Sequence, residues 1–150
     1  MGMMGETIIK LDADGQLTTE QFPVLHCMDE LSNMIGNGCD FVEMVRPERL
    51  YSILHCEYDV DPEQPGKAIA MLVDEEGKCK SPMPPINYMA SWLYGADMHG
   101  QVIVGNVLFV GLKLENGSPS FCPLDDMEGL TLYVKLFNGL EKSREKRGRR

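Results

Sequence analysis

Short apolar segments separated by turn residues are the feature that most limits how this chain can fold. Three such segments are each followed by a turn: Thr7–Leu11 by Asp12–Gly15, Lys67–Asp74 by Glu75–Lys78, and, one residue further on, Val102–Leu114 by Asn116–Gly117. Asp, Asn and Gly tolerate the backbone angles that a tight reversal requires. The pattern therefore predicts antiparallel strands joined by hairpins, with Val102–Leu114 forming one long strand or two shorter ones.

Other segments have the spacing of short helices. In Leu25–Ile35 the apolar residues recur every three or four positions, and Gly36 then supplies a C-terminal stop. Asn87–Tyr94 predicts a second helix, with Asn87 as its N-cap. A third is predicted from Leu124 to about Asn138, with Gly139 as its cap.

Together these elements predict an α+β fold, a single small domain with a mainly antiparallel sheet packed against two or three short helices. A length of 150 residues suits one domain, and 43% hydrophobic with 25% charged residues is typical of a globular protein. We expect residues 1–140 to form this domain and residues 141–150 to form a basic, flexible C-terminal tail. Arg49–Tyr58 fits either a strand or a short helix, and Gly95–Gly100 is predicted to be a loop.

The charge is unevenly distributed along the chain. The whole sequence carries a net charge of −9, yet residues 141–150 alone carry +4 and residues 1–140 carry −13. Such an acidic body repels nucleic acid, so we expect no direct DNA binding by it. The basic tail is predicted to be a solvated end, with weak contact to RNA, DNA or an acidic partner as the alternative.

The sequence also indicates a compartment. No segment reaches the roughly 20 apolar residues of a membrane helix, and the N-terminus lacks the pattern of a secretion signal. The five cysteines are odd in number and widely spaced, which favours free thiols in a reducing cytosol. A cytoplasmic location with no membrane association is therefore predicted.

Metal ligands are present as residue types but not in a metal-binding pattern. Asp12 and Asp14 resemble part of a calcium loop, but its first and last ligand positions would be Lys10 and Gln21 instead of acids. A second set could in principle bind zinc: His26, Cys27, Cys39, His55, Cys56, Cys79, His99 and Cys122. Because adjacent residues point apart and no paired-ligand motif occurs, we predict no metal and no cofactor.

The chain contains no nucleophile motif, P-loop or paired-histidine motif. Asp97 and His99 could in principle form a catalytic pair, but they fit an exposed polar loop better. We therefore predict a protein that is not an enzyme.

One segment concentrates aromatic and amide side chains. Aromatic rings can stack on a base and an amide can read its edge. The predicted ligand-binding residues are Asn87, Tyr88, Trp92, Tyr94 and Asn106. The alternative is that Trp92 belongs to the core and the tyrosines lie at its rim.

Four segments give the chain a family resemblance: VDEEGK (73–78), PPINYMASWLYG (84–95), IVGNVLFVG (103–111) and LDDMEGLTLYV (124–134). Over roughly residues 25–137 the chain resembles an uncharacterised family of phages and bacterial mobile elements, the domain of unknown function 3846. It departs from that pattern in a longer N-terminus and an insert around His55–Pro65. The resemblance implies an accessory protein in the cytoplasm of a bacterial host cell, and it supplies no catalytic residues to carry over.

Two functions remain. The first is counter-defence, in which the protein binds and sequesters a small nucleotide-like immune signal. Phosphate would then be bound by backbone N–H groups, by helix N-termini or by a few basic side chains such as Lys67, Lys78 and Lys80. The second is an acidic inhibitor that mimics nucleic acid and binds a host defence or restriction protein. Pairing of copies through exposed strands would give a homo-oligomer, and the sequence leaves the oligomeric state open.

Overall fold

The computed structural model describes residues 6–55 and 59–148, and it contains one sheet with helices on both faces. The elements follow in the order β1 (Thr7–Leu11), β2 (Leu17–Gln21), α1 (Cys27–Ile35), β3 (Val42–Val45), α2 (Glu48–Leu54), β4 (Ala68–Asp74), α3 (Tyr88–Tyr94), α4 (Ala96–His99), β5 (Val107–Glu115), β6 (Ser118–Cys122) and α5 (Asp126–Gly148). A 3-10 turn, Gly77–Cys79, follows β4. The predicted α+β class is confirmed.

Strand β5 is the centre of the sheet. The strand order is β2-β1-β5-β4-β3, and β6 also pairs with β5. The first part of β5 pairs with β1 and its last part, Gly111–Glu115, pairs with β6, while β4 lies along its other side. All of these pairings are antiparallel. The predicted hairpins form at β1–β2 and β5–β6, whereas the turn after β4 leads into the 3-10 turn and α3 instead of a returning strand.

Alternate residues of the strands form two cores, because successive side chains in a strand point to opposite faces. On one face, Ile9 and Phe109 pack with apolar residues of α2, α3 and α5. On the other face, Ile8 and Leu108 pack against Leu31 of α1. The fully buried run in β4 supplies residues to both cores, which explains why its sequence is continuously apolar.

Most of the predicted elements are confirmed within one to three residues at their ends. The ambiguous Arg49–Tyr58 segment forms α2, although its last three residues lie outside the described part of the chain. Asn87 is the N-cap of α3, with its Oδ1 accepting a hydrogen bond from the Ala90 N–H at 3.1 Å. The long apolar segment forms the single strand β5, preceded by an isolated bridge between Ile86 and Val104.

Two predicted boundaries are wrong. The Gly95–Gly100 loop contains the four-residue helix α4. The C-terminal helix does not end at Asn138 but continues to Gly148, so Gly139 is an interior residue of α5. Gly139 is explained by packing, since a Cβ there would lie 2.8 Å from the Cε of Met89. The basic segment predicted to be a flexible tail is thus helical up to Gly148, and residues 149–150 lie outside the described residues.

None of the helices in the described part of the chain combines the length and apolar content that a membrane span requires.

Candidate ligand-binding groove

A groove of about 650 Å³ lies between α3, α5 and the turn that joins β1 to β2. Helix α3 contributes Tyr88, Met89 and Trp92, and the turn contributes residues 13–15. Helix α5 contributes Lys135 among others. Small-molecule sites in proteins usually have about 300–1,000 Å³, so the groove has the size of a ligand site.

The wall formed by α3 is aromatic because Tyr88 and Trp92 are four residues apart and therefore share one face of the helix. Tyr88 is 73% exposed and Trp92 is 45% exposed. Such exposure leaves aromatic surface free for a ligand. Tyr94, two residues further on, falls on a different side of α3. Its ring packs edge-on against the ring of His99, with centroids 5.1 Å apart, and it lines a separate cavity of about 150 Å³.

Arg49 fixes the position of Trp92 from outside the groove. Its guanidinium carbon lies 4.6 Å from the centroid of the indole, and its Nη1 donates to the Trp92 carbonyl. The same guanidinium pairs with Asp97 at 2.8 Å, and this hydrogen bond holds the pKa of the Asp97 carboxyl below its ordinary value. The indole is thus held by a cation–π contact, and so it is preorganised for a second stacking partner.

The wall formed by α5 carries the positive charge of the groove. Lys135, Gly139 and Ser143 are spaced by four residues and lie along one side of the helix. Lys135 is exposed and has no ion-pair partner among the described residues. Gly139 brings Met89 close to the helix backbone. A free ammonium group and a hydroxyl therefore lie opposite the aromatic wall.

The β1–β2 turn closes the third side. It is a tight turn, with Gly15 at φ 91° and the Gly15 N–H bonded to the Asp12 carbonyl at 3.0 Å. The Asp14 carboxylate accepts from the Gln16 N–H at 3.2 Å, and Arg144 of α5 donates to the Gly15 carbonyl at 3.2 Å. The turn thus presents Asp14 to the groove and is tied to α5. The predicted Asp-Gly turn is confirmed.

Two asparagines hold this turn in place. The buried Asn87 donates from Nδ2 to the carbonyls of Leu11 at 3.1 Å and Gly105 at 3.0 Å. Asn106 accepts from the Ala13 N–H at 3.1 Å and donates to the Ile35 carbonyl at 3.0 Å. Both amides therefore make structural hydrogen bonds. Their effect on a ligand would be indirect, through the position of the turn.

The structure brings together three of the five predicted ligand-binding residues. Asn87, Tyr88 and Trp92 line the groove, whereas Tyr94 and Asn106 do not. Sequence reasoning missed Asp14, Lys135 and Ser143. The Lys135–Gly139–Ser143 spacing was a usable signal for the last two. It was lost because the helix was predicted to end before Ser143.

The candidate pair Asp97–His99 and two of the cysteines have other partners or surroundings. The two ring nitrogens of His99 bond to the Tyr94 carbonyl at 2.9 Å and the Gln101 N–H at 3.1 Å, while Asp97 is occupied by Arg49. Burial raises the pKa of the Cys122 thiol to about 11 and is the main cause that raises the pKa of Cys39. Both shifts disfavour the thiolate, which is the nucleophilic form.

The candidate metal ligands are also dispersed. His26 precedes α1 and His55 ends α2, and both adopt the left-handed backbone conformation. Cys56 lies outside the described residues. Within residues 6–55 and 59–148, no three His, Cys, Asp or Glu side chains lie close enough together to hold a metal ion.

Fold and groove together define a small α+β protein with one antiparallel sheet and a ligand-sized groove beside its last helix. Residues 7–138 match the family described as Domain of unknown function (DUF3846). The chain therefore belongs to this family, which confirms the resemblance predicted from its sequence. A search of curated proteins found no match, and a search of solved structures found none either.

Proposed function

We propose that the protein acts by binding and not by catalysis, and that it holds a small nucleotide-like anion in the groove. The observation that carries the proposal is the presence of Trp92, Tyr88 and Lys135 on one groove of about 650 Å³. Exposed aromatic rings suit a planar base, because stacking on such a ring is favourable for every base. An ammonium group without an ion-pair partner suits a phosphate.

The other groups of the groove fit the same ligand class. The Ser143 hydroxyl can donate to a phosphate or ribose oxygen, and the Asp14 carboxylate can accept from an amino or hydroxyl group. Asp14 and the net charge of −9 oppose long polyanions. A small ligand with one or two phosphates therefore fits better than DNA or RNA.

In a phage or mobile element, such a binder would serve counter-defence. Sequestration of a nucleotide immune signal requires affinity and sufficient copies, but no chemical step.

Fluorescence of Trp92 tests the proposal directly, because it is the chain's one tryptophan and it lines the groove. The purified protein would be titrated with a panel of cyclic mononucleotides, cyclic dinucleotides and linear mononucleotides. We expect at least one of them to quench or shift the emission with a saturable curve.

Two pairs of variants locate the binding. Lys135→Glu should weaken it at least about tenfold, which corresponds to roughly 1.4 kcal/mol, whereas Lys113→Glu, the same charge change on β5 outside the groove, should not. Tyr88→Ala should weaken binding, whereas Phe41→Ala, another exposed aromatic, should not. No response to any nucleotide at millimolar concentration, or equal effects of the Lys135 and Lys113 variants, would contradict the proposal.

The second candidate is an acidic inhibitor of a basic host protein. It is favoured by the net charge of −13 on residues 1–140. A strongly acidic surface repels nucleic acid but resembles it to a protein that binds nucleic acid. Such an inhibitor would bind through its surface and would leave the groove empty.

A further inference from the structure

Helix α5 has apolar residues on two opposite faces. Leu132, Leu136 and Leu140 are buried against the sheet. A second row faces outward and consists of Met127, Leu130, Val134 and Phe137, which are 67%, 51%, 46% and 45% exposed. We call this row the outer stripe. Its steps of three, four and three residues place all four side chains on one side of the helix.

An outward apolar row of this kind needs a partner. The exposed fractions correspond to roughly 400 Å² of apolar surface, which is within the size of the largest patch on a typical monomer and often marks an interaction site. Three- and four-residue steps are the pattern of a helix that packs along another helix. The partner surface is therefore expected to be helical.

The outer stripe is symmetric about its own centre. If two copies pack antiparallel, Met127 lies opposite the partner's Phe137 and Leu130 lies opposite the partner's Val134. The same pairing then recurs on the other half of the contact. A two-fold interface requires this self-complementarity. In each pair the larger side chain, Phe137 or Leu130, packs against a flexible or smaller one, Met127 or Val134.

Charge distribution along α5 selects the antiparallel direction. Asp125, Asp126 and Glu128 give the start of the helix a charge of −3, whereas residues 141–148 carry four basic and two acidic side chains, a balance of +2. Antiparallel packing places the acidic start of one helix near the basic end of the other and opposes their dipoles. Parallel packing would place like charges together.

We propose that the outer stripe of α5 is a homodimer interface in which two copies pack antiparallel about a two-fold axis. The stripe supplies about half of the ~800 Å² that each partner contributes to a standard interface. Flanking residues such as Tyr133 and Asn138 would supply more. The dimer is therefore expected to be reversible, with a dissociation constant in the micromolar range. The groove opens on a different side of α5, so the dimer does not depend on a ligand.

Sedimentation velocity of the full chain from about 1 µM to about 1 mM tests the proposal, since a micromolar dimer dissociates across this range. The expected result is a concentration-dependent shift from monomer to dimer. Leu130→Glu and Val134→Lys should each weaken the dimer at least about tenfold. Met98→Glu is the matched control, because Met98 is 80% exposed on α4 and outside the stripe.

The double variant Leu130→Glu/Val134→Lys tests the direction of packing. In the antiparallel dimer each Glu at position 130 faces Lys at position 134 of the other copy, so the double variant should dimerise more strongly than either single variant. A parallel pair would place Glu against Glu and Lys against Lys, and the double variant would then dimerise no better than the single variants. Circular dichroism and thermal unfolding would confirm that each variant is folded, and because both positions are exposed we expect little change.

Three outcomes would overturn the proposal. The wild-type chain could remain monomeric throughout the range, the dimer could be unaffected by both single stripe variants, or the double variant could fail to recover dimerisation. A dimer weakened equally by Met98→Glu would place the contact elsewhere.

Discussion

Asn87 shows how a single side chain connects distant parts of this fold. It is 1% exposed and bonds to Leu11, Gly105 and Ala90, that is, to the end of β1, the approach to β5 and the start of α3. Asn87 lies in the wall of the groove, and its bond to Leu11 helps to determine where the β1–β2 turn lies. Its main contribution is thus to the shape of the site.

Replacing Asn87 by Ala should destabilise the protein by about 3 kcal/mol, because two buried carbonyls lose their donor and α3 loses its cap. Urea unfolding followed by circular dichroism would measure the change. Asn33→Ala on the exposed side of α1 should stay within about 0.5 kcal/mol of the wild type. Equal stabilities of the two variants would mean that the buried hydrogen bonds contribute little.

Only part of the role of Asn87 can be read from the sequence. The cap is a local property, since an Asn directly before a helical segment accepts from a backbone N–H three residues later. The bond to Leu11 joins residues 76 positions apart and depends on how the sheet brings β1 beside β5. Tyr94 illustrates the same limit, because its nearness to Trp92 in sequence concealed that it points away from the groove.

At the scale of elements, Gly111 marks a crossing of three backbones. It pairs with Cys122 in β6, and a Cβ at this position would lie 2.4 Å from the Pro123 oxygen and 2.5 Å from the Gly66 Cα. Both obstacles are backbone, which cannot yield as a side chain would. The long central strand can exchange β1 for β6 as its partner only with a glycine here.

Gly111→Ala should therefore destabilise the protein by about 3 kcal/mol or more. Gly117→Ala is a suitable comparison, because that glycine has φ 82° but open space around it and should cost only about 1–2 kcal/mol. Thermal unfolding of both proteins would rank them. The close crossing would be disproved if Gly111→Ala were the more stable variant.

Strands were easier to predict than helix ends. The apolar segments and the glycine-containing turns after them gave β1, β4 and the start of the β5–β6 hairpin, because both signals are local. The C-terminal helix was predicted to end too early because Gly139 resembles a helix C-cap. In the structure Gly139 lies inside α5 and packs against Met89 of α3. Ser143 lies beyond the predicted end of the helix, and for this reason the prediction did not include the wall that α5 contributes to the groove.

At the scale of the whole molecule, salt distinguishes the two functional classes. A nucleotide present at 100 times its dissociation constant should raise the melting temperature by about 5–10 °C, since bound ligand stabilises only the folded state. Raising NaCl from 50 to 300 mM should reduce this shift only slightly for a ligand with one or two phosphates. Differential scanning fluorimetry would measure it.

An inhibitor of a basic host protein would behave differently. Its complex would form between large, oppositely charged surfaces and would weaken steeply over the same range of salt. Nucleotides would leave the melting temperature unchanged. Finding both results, no nucleotide shift and strongly salt-dependent capture of a basic protein, would favour the second candidate.

The central position of β5 has a consequence for synthesis on the ribosome. The β1–β2 hairpin and the β3–β4 pair are translated first, but they are joined only through a strand that begins at Val107. Until that strand has left the exit tunnel, the edges of β1 and β4 that pair with it lack their partner. The nascent chain must therefore complete its sheet late. A product terminated before Val107 would keep unpaired strand edges and would be prone to aggregation and proteolysis.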